Sequence, residues 1–176
     1  MIEEAGSRNG ESTQTTEQNG KRAKRGAAGP RRQVGALPFR VTEEGRIEVA
    51  LVTSRETRRW VIPKGWPIRK LAPFETAARE AYEEAGLAGA MAQEPYGAYS
   101  YEKRLKSRSF VSCNVDVFLM AVARAKKRWP ERDERERRWF PAEEAAQLVD
   151  EPELSDLIAA LPERMGLGQS RESNEG

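Results

Sequence analysis

The chain contains no histidine. That excludes a Ser-His-Asp triad, a Cys-His dyad, His-ligated zinc and imidazole acid–base chemistry. It has a single cysteine, Cys113, which excludes an internal disulfide, a CxxC redox pair and a Cys-rich metal cluster. Cys113 lies in an apolar stretch, so it reads as a buried structural thiol, and a lone thiol suits a reducing compartment. No apolar run approaches the ~20 residues needed to span a bilayer, and the N-terminus carries no hydrophobic segment of signal-peptide type. The expectation is a cytoplasmic protein. There is little net charge either: 30 Lys+Arg against 28 Asp+Glu leave +2 over 176 residues, so bulk charge points to neither nucleic acid nor membrane. The chemistry available is that of carboxylates, lysine, arginine, tyrosine, hydroxyls and backbone.

One domain is the expectation from this length. Residues 1–30 are Gly, Ser, Thr, Asn, Gln, Glu, Lys and Arg with almost nothing to bury, and read as a disordered tail. The basic cluster Lys21 to Arg25, followed by Arg31 and Arg32, is a place for RNA, polyphosphate or another anionic surface to touch, or simply a solubilising tail. Residues 166–176 read as a second frayed end, leaving a foldable segment at 31–165. In it, Gln33–Val41, Ile47–Thr53, Arg59–Ile62, Gly97–Arg104, Phe110–Ala123 and Trp139–Phe140 carry strand patterning. Lys64–Leu71 reads as a loop, a helix starts at Pro73 and stops before Gly86, and Pro141–Leu148 and Pro152–Leu161 read as helices. The order β-β-β-α-β-β-β-α-α is mixed α/β without the alternation of a Rossmann sheet, and neither GxGxxG nor GxxxxGK[ST] occurs.

The informative segment is Pro73–Leu87, PFETAAREAYEEAGL. Proline suits its first turn and Gly86 suits the position just past its end. Phe74, Ala77, Ala78, Ala81, Tyr82 and Ala85 form an apolar stripe at helical spacing. Glu80, Glu83 and Glu84 share another patch at i, i+3 and i+4, where like charges cost ~0.2–0.5 kcal/mol per pair. Arg79 reaches Glu83 at i+4 and relieves one charge. A solvated face is one reading; the other is a hard divalent cation held by oxygen ligands, Mg²⁺, Mn²⁺ or Ca²⁺. Just upstream, Trp60-Val61-Ile62-Pro63-Lys64-Gly65-Trp66 ends a strand in a glycine loop where backbone can approach a ligand. Lys64, with Arg55 and Arg59, offers charge to a phosphate.

These residues resemble the signature of the Nudix hydrolase family, G-x5-E-x7-R-E-U-x-E-E-x-G-U with U apolar. Gly65, Arg79, Glu80, Ala81, Glu83, Glu84, Gly86 and Leu87 fall in register. The first glutamate of the pattern is Leu71 here. Glu75 does not replace it, because it projects about 140° from Glu80 on the helix. Residues 31–160 resemble the branch that hydrolyses diphosphoinositol polyphosphates and diadenosine polyphosphates, through Ser54-Arg55, the Trp60–Gly65 run, and Arg137 to Phe140 followed by Glu143-Glu144-Ala145.

The resemblance implies a mixed β-sheet sandwiched between helices, and metal-dependent cleavage of a phosphoric anhydride bond in a small polyphosphate substrate, with Mg²⁺ or Mn²⁺ as cofactor. Glu80 and Glu84 are then metal ligands, and Glu83 a further ligand or the base that activates water. Arg79 orients the glutamates and Gly65 shapes the loop. Arg55, Lys64, Gly65 and Arg104 are the expected substrate contacts, with Lys106 and Arg108 as further cations. Tyr96, Tyr99 or Tyr101 are places for a base to stack, and Glu134 or Glu136 for an extra carboxylate. Because of Leu71 and the basic N-terminal cluster, a non-catalytic phosphate- or RNA-binding module of the same fold stays open beside the enzyme. Oligomeric state is not expressed in the sequence.

Overall fold

The computed structural model describes residues 29–167. The N-terminal tail up to residue 28, with its basic cluster, and residues 168–176 lie outside the described residues.

The strands are β1 (Arg31–Val41), β2 (Ile47–Thr53), β3 (Trp60–Val61), β4 (Lys64–Gly65), β5 (Leu87–Met91), β6 (Gly97–Arg104), β7 (Phe110–Ala125) and β8 (Arg137–Pro141); the helices are α1 (Pro73–Ala85), α2 (Ala142–Leu148) and α3 (Pro152–Arg164). All the strands join one sheet. Its spine is the parallel pairing of β1 with β7, from Arg31 opposite Cys113 to Phe39 opposite Ala121. The other pairings are antiparallel. The long β7 carries β6 along its first half and β5 along its second. Gly45, at φ +76°, closes the β1–β2 hairpin in the left-handed region that glycine enters at little cost.

Alternation along the strands splits the core into two layers. On one face, Val34, Ala36, Ala50, Val52, Phe118 and Met120 meet the Ala77, Ala81 and Ala85 stripe of α1. On the other, Leu37, Val49, Leu51, Val115 and Val117 meet α2 and α3 through Ala142, Ala145, Leu154, Ile158 and Leu161. The expected sheet between helices is therefore present. Alanines fully buried along α1 let its backbone lie close to the sheet.

Some elements differ from the expectation. The segment expected to be loop from Lys64 onward begins with β4, whose Gly65 and Lys64 pair with Val34 and Gly35. The strand β5 directly after Gly86 has little sequence signal, because LAGAM lacks the β-branched residues that mark strands. Of the apolar stripe, Tyr82 is exposed, while Thr76 and Glu84 are buried on α1. Cys113 is buried, as expected.

Candidate active site

The helix α1 begins at Pro73, and the Glu75 carboxylate accepts the backbone N–H of Ala72 at 2.7 Å. Glu75 is thus used up as a helix-start partner. At the other end Gly86 adopts φ +65° and turns the chain into β5, its N–H donating to the Tyr82 carbonyl at 2.9 Å. The last turn of α1 has no basic residue of its own. Its free carbonyls are met instead by the charged segment between β7 and β8 together with Arg137, the first residue of β8. Glu131 N–H donates to the Glu83 carbonyl at 3.0 Å, and Lys126 N–H to that of Gly86 at 2.9 Å. The Trp129 indole N–H reaches the Glu84 carbonyl at 3.1 Å, and Arg137 reaches that of Ala85 at 2.6 Å. This segment is a cap that satisfies helix-end acceptors and sets positive charge at the negative end of the helix.

The same segment enters the acidic patch. Arg135 is buried and donates to Glu84 Oε1 at 2.9 Å, to the Thr53 carbonyl at 3.1 Å and to Glu131 Oε1 at 3.2 Å. The other oxygen of Glu84 accepts the Lys64 backbone N–H at 3.3 Å. Glu84 is only 7% exposed. Burial raises its pKa to about 7, Glu80 and Glu131 adding to the shift while Arg135 and Lys64 oppose it. Glu80 lies against Gly65, where a Cβ would overlap its carboxylate. That contact, rather than an unusual φ, is the reason for glycine at this position. Glu80 is also pushed above the ordinary carboxylate range, first by burial and then by Glu83 and Glu131. Glu83 is half-exposed and faces Arg79 at 3.9 Å.

The cations sort differently from the sequence expectation. The Lys64 ammonium lies 5.1 Å from the Tyr101 ring centroid, and loss of solvation lowers its pKa to about 8 against the pull of Glu84. Arg55 is at the rim, 3.5 Å from Glu134 and 3.8 Å from Glu131. Arg104 is exposed at the hairpin end, opposite Phe110. Its neighbour Lys103, on the other face of β6, reaches Trp66 instead, at 4.8 Å. Arg59 pairs with the buried Glu151 at 2.8 Å. Among the tyrosines, Tyr99 is buried, Tyr96 donates its hydroxyl to the Leu157 carbonyl, and Tyr101 donates to Gln33. Of the later carboxylates, Glu134 pairs with Arg55 and Glu136 with Arg138, and it is Glu131 that stands next to the acidic patch. Arg135 and Glu131 escaped sequence reasoning because their segment looks like any solvated charge run. The odd signal was Trp129 in its middle, an expensive residue to place in a solvated loop.

Among the described residues no three carboxylates close on one point as they stand. The donor set nonetheless fits a hard divalent cation: oxygen ligands only, Glu80 and Glu84 one turn apart, and Glu131 beside them. Two of these carboxylates sit in partly desolvated positions that disfavour their charged forms. A cation there offsets that cost, and the Arg135 guanidinium offsets part of it already.

A mixed sheet clasped between helices, with an acid-edged helix laid over a glycine loop, defines the class of fold. The NUDIX domain family matches residues 29–161, and the chain belongs to that family. It is 31% identical over 132 residues to Nudix hydrolase 13, mitochondrial, of Arabidopsis thaliana, covering 65% of this chain and 64% of that protein. It is 31% identical over 124 residues to diphosphoinositol polyphosphate phosphohydrolase 3-alpha of Mus musculus, covering 69% of this chain and 70% of that protein. The chain thus spans less than two thirds of the Arabidopsis relative's length. Among solved structures, the C. elegans Ap4A hydrolase shares the fold with a TM-score of 0.57 at 17% identity, covering 77% of this chain and 98% of that one. The NUDIX domain of Shewanella oneidensis NrtR complexed with ADP ribose shares it with a TM-score of 0.53 at 14% identity, covering 78% and 90%. No helix among the described residues is long and apolar enough to cross a membrane.

Proposed function

We propose that this chain is a Mg²⁺- or Mn²⁺-dependent hydrolase that splits a phosphoric anhydride bond in a small polyphosphate, of the diadenosine polyphosphate or diphosphoinositol polyphosphate type. The observation that carries the reading is the pair Glu80 and Glu84, one turn apart on α1, Glu80 lying against Gly65 and the buried Glu84 accepting the Lys64 backbone N–H. When bound, a divalent ion supplies charge neutralisation and an activated water. Glu80 and Glu84 are the side chains to hold it, and Glu83 is a further ligand or the base.

The chain's own groups do the rest. Gly65 leaves room for the Glu80 carboxylate. Arg135 and the Lys64 N–H fix both oxygens of Glu84. Lys64, with its ammonium drawn out of solvent, meets a phosphate as a point charge, and Arg55 adds charge at the rim. Arg79 holds the outer carboxylate, Glu83. Positioning and charge stabilisation of this kind are most of what phosphoryl transfer requires. Leu71 precedes the helix in place of the pattern's glutamate, and Arg135 with Glu131 supplies an orienting pair from the segment between β7 and β8.

The test is a substrate panel: diadenosine polyphosphates and inositol pyrophosphates, each with Mg²⁺, with Mn²⁺ and with chelator. Metal-dependent release of phosphate-containing products from one class is the expected outcome. Binding without hydrolysis of any of them would favour the non-catalytic phosphate- or RNA-binding module.

A further inference from the structure

Trp66 follows Gly65 directly, so its Cα is ~3.8 Å from the residue that underlies the Glu80 carboxylate. Its large apolar side chain is 39% exposed. Two cations approach it from separate strands: the Lys103 ammonium of β6 at 4.8 Å and the Arg31 guanidinium of β1 at 5.9 Å from the indole centroid. Both strands border β7, so the sheet itself delivers these charges to the ring.

We propose that the Trp66 indole is the stacking platform for a nucleobase, with Lys103 and Arg31 as its flanking phosphate contacts, so that the site takes a nucleoside polyphosphate in preference to a base-free one. This rests on the polyphosphate-hydrolase reading above and narrows its substrate class. A nucleotide offers both a π face and anionic oxygens. The indole takes the first at its exposed surface, and a cation released from the ring turns to the second, exchanging a cation–π contact for a phosphate. The tyrosines nearby are committed elsewhere. Tyr99 is buried, the Tyr96 and Tyr101 hydroxyls are bonded within the protein, and the Tyr101 ring carries Lys64. An inositol ring has no π face, so it would engage the cations and leave the indole idle. The stacking residue also adjoins the acidic patch in the chain: Trp66 follows Gly65, against which the Glu80 carboxylate lies.

The experiment uses the full chain as wild type, Trp66→Phe and Trp66→Ala, with folding checked by circular dichroism. Affinities for ADP and for inorganic tripolyphosphate are measured by calorimetry in the absence of metal. Then KM and kcat for diadenosine tetraphosphate and for a diphosphoinositol polyphosphate are measured with Mg²⁺. Trp66→Ala is expected to weaken ADP about tenfold and to leave tripolyphosphate unchanged. Trp66→Phe, which keeps a π face, is expected to recover most of the loss. KM for diadenosine tetraphosphate rises in parallel at steady kcat. Equal loss for ADP and tripolyphosphate, an ADP affinity indifferent to the indole, or no ADP binding by the wild type would overturn the proposal. Absence of turnover by the wild type on every substrate would overturn the hydrolase reading instead, while the contrast between ADP and tripolyphosphate still decides the role of Trp66.

Discussion

On the proposed reading of the site, Gly65 separates stability from chemistry at a single residue. The nearest atoms a methyl group added there would meet are those of the Glu80 carboxyl, the far end of a side chain that can swing away. Gly65→Ala is therefore expected to change unfolding free energy by less than ~1 kcal/mol. It should still lower turnover at least tenfold, because Glu80 can no longer lie against the loop. Denaturant unfolding and steady-state kinetics on the same preparation check this. Arg135 predicts the opposite balance. It is buried against a buried Glu84, and removing one member of such a pair leaves an uncompensated charge. Arg135→Ala is expected to cost ~3–5 kcal/mol by denaturant unfolding, in contrast to Arg79→Ala, whose partner is 3.9 Å away at the surface. The acidic trio and Gly65 were legible because their spacing is local, within the loop and helix that carry them. Arg135 was not, since its bond to Glu84 spans 51 positions and no local periodicity encodes a contact of that range.

At the scale of elements, α1 is held from both sides. Its alanine stripe lies flat on the sheet, and its last carbonyls are capped by the segment between β7 and β8. Ala81 is fully buried, so Ala81→Leu is expected to cost at least ~1–3 kcal/mol by overpacking, read as a fall in the denaturation midpoint. Removing the Trp129 indole takes away the donor to the Glu84 carbonyl and the ring packed at Gly86. Trp129→Ala is expected to lower metal affinity as well as stability, measured by Mn²⁺ titration, because the turn it holds is the one that carries Glu83 and Glu84. Helix ends and long strands could be read from proline, glycine and β-branched patterning. The short β4 and the alanine- and glycine-rich β5 could not, since long-range pairing with β1 and β7, rather than local propensity, makes them strands.

At the scale of the whole molecule, the described residues form one sheet with helices on both faces, and the candidate site lies where loop, helix and the charged segment between β7 and β8 meet. Mixed architecture followed from the order of patterned segments. The parallel β1–β7 pairing that sets Arg31 and Lys103 around Trp66 did not, because strand order is a property of the folded chain. The described residues 29–167 hold both core layers, one on each face of the sheet. A chain trimmed to those residues is expected to fold cooperatively and to keep its turnover, whereas a nucleic-acid binder driven by the basic N-terminal cluster would lose its salt-dependent affinity. The central claim is that Glu84 helps hold a divalent ion against a phosphate chain. It is tested most directly by comparing wild type with Glu84→Gln, in calorimetric Mn²⁺ binding and in metal-dependent turnover, with folding verified for both. Loss of metal affinity together with a fall in turnover of at least a hundredfold, about 2.7 kcal/mol, is the predicted result. A folded Glu84→Gln protein that binds Mn²⁺ and turns over substrate like the wild type would contradict it.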